Sequence, residues 1–462
     1  MVSNQSISRA VYVLGILLLV QSQISQADNS WDTQWQYEPK CDKNDTDVEC
    51  LIMHMDASNF INLTITNLNV TELKNKDAKI RIVSTADLLQ VSKEIPLNEI
   101  NEGVWKGSFE IFASFIGKAN IYVEIVKHSD GANVTEQSKK LLVVIVRPER
   151  WIDTLFIISV ATLVSMLYIN FGAALDLRKV SGVLKKPIGP AIAFCCHFLF
   201  LPLSSYVIGL LLFPSNAEMQ LGLFFTGASP AGGASNTWTV ILGGNLDASI
   251  TMSTTSTLSA FLMTPLWIFT LGKTIFDRGN LKVPYGQIAS SVFSLIIPLC
   301  IGLLIQRYCP RVARFLVRIL KTCSALLILF IVIFAILTNL YLFKLFTWEI
   351  VVAGLLLPWL GYFVGWLAAL LCRQEYEDRL AISIEAGIQN TGIAIFVLRN
   401  ALNQPEADLT TVIPVSVAIM TPFPLIAFYL CLKCREWIYR RRSREFPAEI
   451  KECIQSQESG VY

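Results

Sequence analysis

Glu385 is an acid in an apolar run. It stands in LAISIEAGIQNTGIAIFVL, with Gln389 and Asn390 following. A charged carboxylate near the centre of a bilayer costs about 2.5–3.5 kcal/mol on insertion scales, so such a residue marks an ion or substrate path. Glu385 and Gln389 are four apart and share a face wherever the local turn is helical. A second stretch, TGASPAGGASNTWTVILGGN, is dense in small residues and contains Pro230. The two stretches share the pattern Gly-x-[Ser/Gln]-Asn, as Gly233-Ala-Ser235-Asn236 and Gly387-Ile-Gln389-Asn390. Both read as interrupted helices in corresponding halves of the chain, which is how an inverted-repeat transporter builds its binding site. The competing reading is that Gly, Ala and Ser simply let helices pack closely. The chemistry suits sodium, a small hard cation that takes several oxygens and one compensating negative charge. Glu385 would supply the charge. Ser235, Asn236, Gln389 and carbonyls freed by the breaks would complete the shell.

The elements that position these residues follow from the distribution of polarity. The chain has 462 residues, 53% hydrophobic and 16% charged, with a mean hydropathy of +0.50. Polar residues concentrate in 28–149, and 150–432 is mostly apolar with brief breaks. That is a soluble domain joined to a polytopic membrane domain, with a tail at 433–462. A net charge of +2 leaves no electrostatic footprint for nucleic acid. The basic lead MVSNQSISR, the 11-residue apolar core AVYVLGILLLV and the small residues Ser25 and Ala27 read as a secretory signal over 1–27. An uncleaved anchor is the other reading.

Residues 28–149 look extracellular. Four sequons follow the signal, at Asn44, Asn62, Asn69 and Asn133, and none occurs from residue 151 onward. Cys41 and Cys50 are the only cysteines in this part, and an oxidising compartment favours a disulfide between them. FINLTITNL, AKIRIVS, VWKGSFEIFASF, KANIYVEIVK and KKLLVVIVR are short, β-branched or aromatic and partly alternating. They predict a small immunoglobulin-like β-sandwich, acting as a glycosylated cap or partner-binding module.

The apolar part resolves into nine candidate spanning helices, near 153–174, 188–213, 219–242, 247–272, 286–306, 321–342, 348–372, 380–402 and 409–432. An odd number puts the termini on opposite sides. With the glycosylated end outside, the tail is cytoplasmic. Basic residues agree: they crowd the inner loops, such as Arg178 and Lys185 in one and Arg311, Arg314 and Arg318 in another, and the tail, such as Arg440, Arg441 and Arg442, and thin out to Lys273, Arg278, Lys282, Lys344 and Arg399 in the outer loops. The tail could also meet anionic membrane lipid.

PAGGASN, then LDASITMSTTSTLSAFLMTPLW, then EAGIQN together resemble the sodium/bile acid cotransporter family, solute carrier family ten, over roughly residues 155–432. The glycosylated amino-terminal extension resembles that of members with an extra extracellular domain. The resemblance implies an all-α membrane fold with inverted repeats, two crossed broken helices, and a panel and a core domain moving in alternating access. It implies a first sodium site at Ser235, Asn236, Ser249, Ser253 and Glu385. It implies a second at Glu385 and Gln389 with carbonyls from Ala386 and Ile388. The second site normally also takes a glutamine where this chain has His197. Neutral imidazole nitrogen is a poor partner for sodium, so this departure puts the second site in question. His197 then has two readings, a proton-linked role or a packed, hydrogen-bonded filler.

The resemblance implies a sodium-coupled symporter of amphipathic organic anions, of bile acid or sulphated steroid class, in the plasma membrane. Sodium and the anion are its small-molecule partners, and the sequence leaves any protein partner unidentified. A non-transporting receptor on the same fold is the alternative. No Ser-His-Asp arrangement, metal-binding spacing or phosphate loop argues for an enzyme.

Overall fold

The structure is a computed structural model. It describes residues 31–41, 49–68, 79–91, 95–96, 102–129, 132–148, 150–174, 187–338 and 346–445. The expected signal at 1–27, the sequons at Asn44 and Asn69, and the basic loop around Arg178 and Lys185 lie outside the described residues. The chain divides into two compact units, Met1–Pro148 and Glu149–Tyr462.

The first unit is β-rich. Its strands are β1 (Asp32–Gln36), β2 (Cys50–His54), β3 (Ser58–Thr66), β4 (Lys79–Ser84), β5 (Leu89–Val91), β6 (Ile95–Pro96), β7 (Trp105–Ala113), β8 (Gly117–Ser129), β9 (Ala132–Gln137) and β10 (Leu141–Val146). One sheet runs β1-β3-β7-β5. The other runs β2-β10-β8-β4-β6, with β9 added on β8. All neighbours are antiparallel except β2 and β10, which run parallel. Alternation explains the core. Along β3, Ile61, Leu63 and Ile65 point inward while Asn62 is exposed, the period-two pattern of a half-buried strand. Both sheets feed one apolar cluster, from Trp35, Ile61, Trp105 and Phe109 on one to Leu51, Ile80, Val123 and Val143 on the other.

All five strands expected from the sequence form. β1, β2, β5, β6 and β9 were not expected, because they are short or polar on both faces and found their partners only in the sheet. Cys41 and Cys50 are disulfide-bonded. The bridge ties the start of β2, and with it the parallel pairing to β10, to the preceding loop. Closing a loop of this size stabilises a fold by about 2.5–3 kcal/mol in the chain-entropy account. Cys41→Ser in a secreted fragment covering 28–149 should therefore lower unfolding stability by about that amount, read by urea denaturation through the buried Trp35 and Trp105.

The second unit is helical: α1 (Trp151–Ala174), α2 (Ile188–Leu212), α3 (Ala217–Gly227), α4 (Ala234–Leu242), α5 (Leu246–Arg278), α6 (Tyr285–Tyr308), α7 (Pro310–Thr338), α8 (Trp348–Leu371), α9 (Tyr376–Gly387), α10 (Thr391–Ala401), α11 (Glu406–Thr410), α12 (Val412–Met420) and α13 (Pro422–Glu445). Among the described residues, six stretches are long and apolar enough to cross a membrane: α1, α2, α5, α6, α8 and the run Glu406–Tyr439. Large apolar side chains such as Leu211, Leu262, Phe363 and Leu371 face outward. A lipid-facing surface tolerates this and water does not.

The boundaries differ in places from the sequence reading. Arg311, Arg314 and Arg318 were expected in a loop. They lie on α7, because the interleaved apolar residues of PRVARFLVRIL sustain a helix from Pro310. Arg399, counted among the outer-loop cations, is instead in the last turn of α10 with its side chain buried.

Candidate functional site

Two helical stretches are interrupted, and the interruptions meet. α3 ends at Gly227 and α4 starts at Ala234. α9 ends at Gly387 and α10 starts at Thr391. Between them the Gly232 N–H donates to the Ile388 carbonyl at 2.8 Å, and the Asn390 N–H donates to the Pro230 carbonyl at 2.8 Å. Ala231 and Gln389 thus form a one-residue antiparallel bridge. Each break satisfies the other's backbone, which is what allows unwound chain at this depth. Three further groups at the breaks are also paired. The Ala231 N–H donates to Ser256 Oγ, Thr264 Oγ1 donates to the Ala228 carbonyl, and the Asn390 side chain caps the Ile393 N–H.

Close packing holds α9 at its end. A Cβ on Gly361 of α8 would lie 2.5 Å from the Ala386 carbonyl, and one on Gly387 would lie 2.0 Å from the Tyr362 ring. The competing reading of the small residues, that they let helices approach, is therefore correct for Gly387. It is compatible with a site, because the approach sets where α9 stops.

Glu385 is fully buried two residues before that stop. Ser253 Oγ donates to Glu385 Oε1 at 2.7 Å. Ser249 Oγ lies 3.3 Å from Oε2 and 2.9 Å from Asn236 Oδ1. A hydroxyl carries one proton, so Ser249 can donate to only one of these oxygens. Thr239 Oγ1 donates to Ser249 at 3.3 Å, and Ser235 Oγ lies 3.4 Å from Ser253 Oγ. Ser235, Asn236, Ser249, Ser253 and Glu385 are thus brought together from α4, α5 and α9. All are buried. No basic side chain among the described residues forms an ion pair with Glu385. A buried carboxylate held by serine hydroxyls alone, without a basic partner among the described residues, is short of compensation. The surrounding hydroxyl, amide and carboxylate oxygens are ligands of the kind a hard monovalent cation takes.

The residues of the second expected set sit around the break itself. Gln389 is buried. Its Nε2 donates to the Ala386 carbonyl at 2.9 Å, and its Oε1 has no hydrogen-bond partner. The Ala386 carbonyl and the Ile388 carbonyl each accept one hydrogen bond and keep a second lone pair. His197 reaches the backbone of Glu385, with Nε2 2.9 Å from the carbonyl oxygen. A carbonyl can only accept, so Nε2 is the protonated nitrogen. Nδ1 is buried and has no partner. His197 is therefore a hydrogen-bonded clamp between α2 and the end of α9. It occupies a π turn, Cys196–Phe200, just before Pro202. Pro202 lacks an N–H, and the loosened turn frees the Phe198 carbonyl for Trp267 Nε1 at 2.7 Å.

The sequence reading missed Thr239, Ser256 and Thr264. For Ser256 and Thr264 the signal was present: 249, 253, 256 and 264 fall at near-helical spacing along α5, a hydroxyl stripe on an apolar helix. It also missed Asp408, which is buried and pairs with Arg399.

The helical unit is thus a polytopic membrane protein built around a buried carboxylate where two broken helices meet. Residues 160–345 match the Sodium Bile acid symporter family. The chain is 28% identical to the ileal sodium/bile acid cotransporter of Cricetulus griseus over 56% of its own length and 73% of that protein's. It is 29% identical to the sodium-dependent organic anion transporter of Rattus norvegicus, over 54% and 65%. It is 26% identical to the P3 protein of Homo sapiens, over 58% and 57%. The membrane part resembles this family, as its motifs led us to expect, and the first two relatives are transporters by name rather than enzymes.

Gly387→Ala tests how tightly the stop of α9 is set. The overlap with Tyr362 should destabilise the purified chain by about 1–3 kcal/mol, lowering its melting temperature, and Tyr362→Leu in the same chain should recover most of the loss. An unchanged melting temperature for Gly387→Ala would show that the end of α9 has slack.

Proposed function

We propose that this protein is a sodium-coupled symporter of amphipathic organic anions, working by alternating access. The observation that carries the reading is the environment of Glu385, a fully buried carboxylate with oxygen ligands on α4 and α5 and no basic partner among the described residues. A bound sodium ion would supply the missing charge and offset the cost of burying the acid. In this reading Ser235, Asn236, Ser249, Ser253 and Glu385 hold one sodium ion. Gln389 Oε1, with the free lone pairs of the Ala386 and Ile388 carbonyls, offers a second place. His197 Nε2 cannot ligate there, because its proton is committed to the Glu385 carbonyl, while the Nδ1 lone pair has no partner. Sodium entry would drive the cycle with about 2.3 kcal/mol per charge per 100 mV, added to its concentration gradient. The match to the family, and the names of its relatives, support sodium as the coupling ion and an organic anion as cargo.

The same reading gives nine spans with inverted repeats, in which α3–α4 and α9–α10 are the two crossed broken helices of a core that moves against a panel. The β-rich unit is an immunoglobulin-like extracellular domain behind a signal at 1–27, glycosylated at Asn44, Asn62, Asn69 and Asn133. The tail is cytoplasmic, in the plasma membrane. Asn62 supports this placement, being exposed on the outer side of β3.

Uptake of labelled taurocholate and oestrone 3-sulfate in cells, with sodium replaced by choline, is the test. Wild-type uptake should require sodium. Glu385→Gln, at equal surface level, should lose at least about 100-fold of it, which corresponds to about 2.7 kcal/mol. Sodium-dependent uptake that survives Glu385→Gln would contradict the mechanism. Normal surface delivery with no uptake of either anion would favour a receptor.

A further inference from the structure

α11 is a short turn of five residues, Glu406–Thr410, yet it touches both half-helices that lead to the breaks. On one side Asp408 Oδ1 accepts from Arg399 Nη1 in the last turn of α10. On the other, the Thr410 carbonyl lies so close to Gly222 of α3 that a Cβ there would be 2.2 Å away. From Gly222, α3 runs to the break before Ser235 and Asn236. From Arg399, α10 runs back to the break after Glu385. At the breaks the two are already joined by backbone bonds between 230–232 and 388–390. α3 and α10 are therefore pinned to each other twice, at the breaks and again through α11.

α11 is stiff enough to serve as the far pin. The Asp408 N–H donates to the Pro405 carbonyl, Thr410 Oγ1 donates to the Glu406 carbonyl and Thr411 Oγ1 donates to the Asp408 carbonyl. The ion pair is dry, with side-chain exposures of 6% for Arg399 and 0% for Asp408. A buried pair of this kind contributes little net stability, because desolvation offsets attraction, and its best-attested use is to specify one arrangement over others. The lever is long. From Thr391 to Arg399 the helix rises about 12 Å, so a tilt at Arg399 pivots at residues 389–391, where the site begins. An ion site tolerates misplacement of only about 0.5 Å.

We propose that Arg399 and Asp408 are positioning residues for the cation site at Glu385, fixing the angle between the two half-helices through α11. The inference rests on the sodium reading above and adds a second place, remote from every ligand, where sodium affinity is set. The pair touches no ligand. Its loss acts by letting α10 pivot relative to α3, which spreads Ser235 and Asn236 away from Glu385.

The test uses the full chain purified in detergent. Sodium chloride is titrated against choline chloride at constant ionic strength, and the melting temperature reads binding. Wild type should show a saturable sodium-specific rise that Glu385→Gln abolishes. Arg399→Gln and Asp408→Asn should each raise the half-saturating sodium concentration by about 10-fold, or about 1.4 kcal/mol. Arg399→Gln/Asp408→Asn removes both charges and keeps a hydrogen-bonding pair, and should return to within about threefold of wild type, as a coupled pair requires. Gly222→Ala leaves the ion pair intact and pushes α3 off Thr410, so it should raise the half-saturating concentration too. It also decides the matter if the single charge variants do not fold. A purely structural role would lower the melting temperature in choline and leave half-saturation unchanged. Unchanged half-saturation in the folded variants overturns the positioning role alone. No sodium-specific rise in wild type, or one that survives Glu385→Gln, overturns the sodium reading on which it rests.

Discussion

Glu385 is a carboxylate taken out of water without a basic partner among the described residues. That constraint organises the membrane unit. A lone buried charge is too costly to leave uncompensated, and the nearest groups offer only partial relief. Ser253 donates fully to one oxygen, while Ser249 divides its single proton between the other oxygen and Asn236. In the sodium reading the deficit is one positive charge, placed where several neutral oxygens already converge. A small cation that can leave again meets this need better than a fixed lysine or arginine, which would neutralise the acid for good.

The two breaks are the second half of the same arrangement. A continuous helix commits nearly every carbonyl to its own ladder and offers a cation only side chains. Interrupting two helices at one depth frees backbone oxygens. The crossed hydrogen bonds between 230–232 and 388–390 then settle the amides that would otherwise be stranded. Gly361 lets α8 press against the Ala386 carbonyl, and Gly387 admits the Tyr362 ring at the end of α9. His197 clamps the Glu385 carbonyl from α2. Rigid walls around an interrupted backbone give a site that keeps its geometry.

Much of this was legible in the residues, and the parts that were not share a cause. Glu385, Gln389, Ser235 and Asn236 declare themselves because polar groups in an apolar run need a reason. The breaks declare themselves through Pro230 and the small residues around it. The long strands of the β-rich unit show their two-residue alternation. Pairings between distant segments were not legible. Nothing near Arg399 says that its guanidinium turns inward to Asp408. In sequence it looks like any cation beside a loop, and only the return of the chain through Pro405 brings the acid to it. The same holds for β2, whose parallel pairing with β10 depends on a segment far along the chain. The role of His197 was open between a proton-linked group and a filler. The structure makes it a donor to backbone, an assignment that needed the position of a carbonyl 188 residues away.

The central claim is that an alkali cation is the counter-charge of Glu385. Infrared difference spectroscopy of the purified chain, exchanging sodium for choline, reads that interaction at the carboxylate itself. The account predicts a sodium-specific shift of a carboxylate stretching band that saturates with sodium and vanishes in Glu385→Gln. A spectrum unchanged by sodium, or a shift that persists in Glu385→Gln, would contradict it.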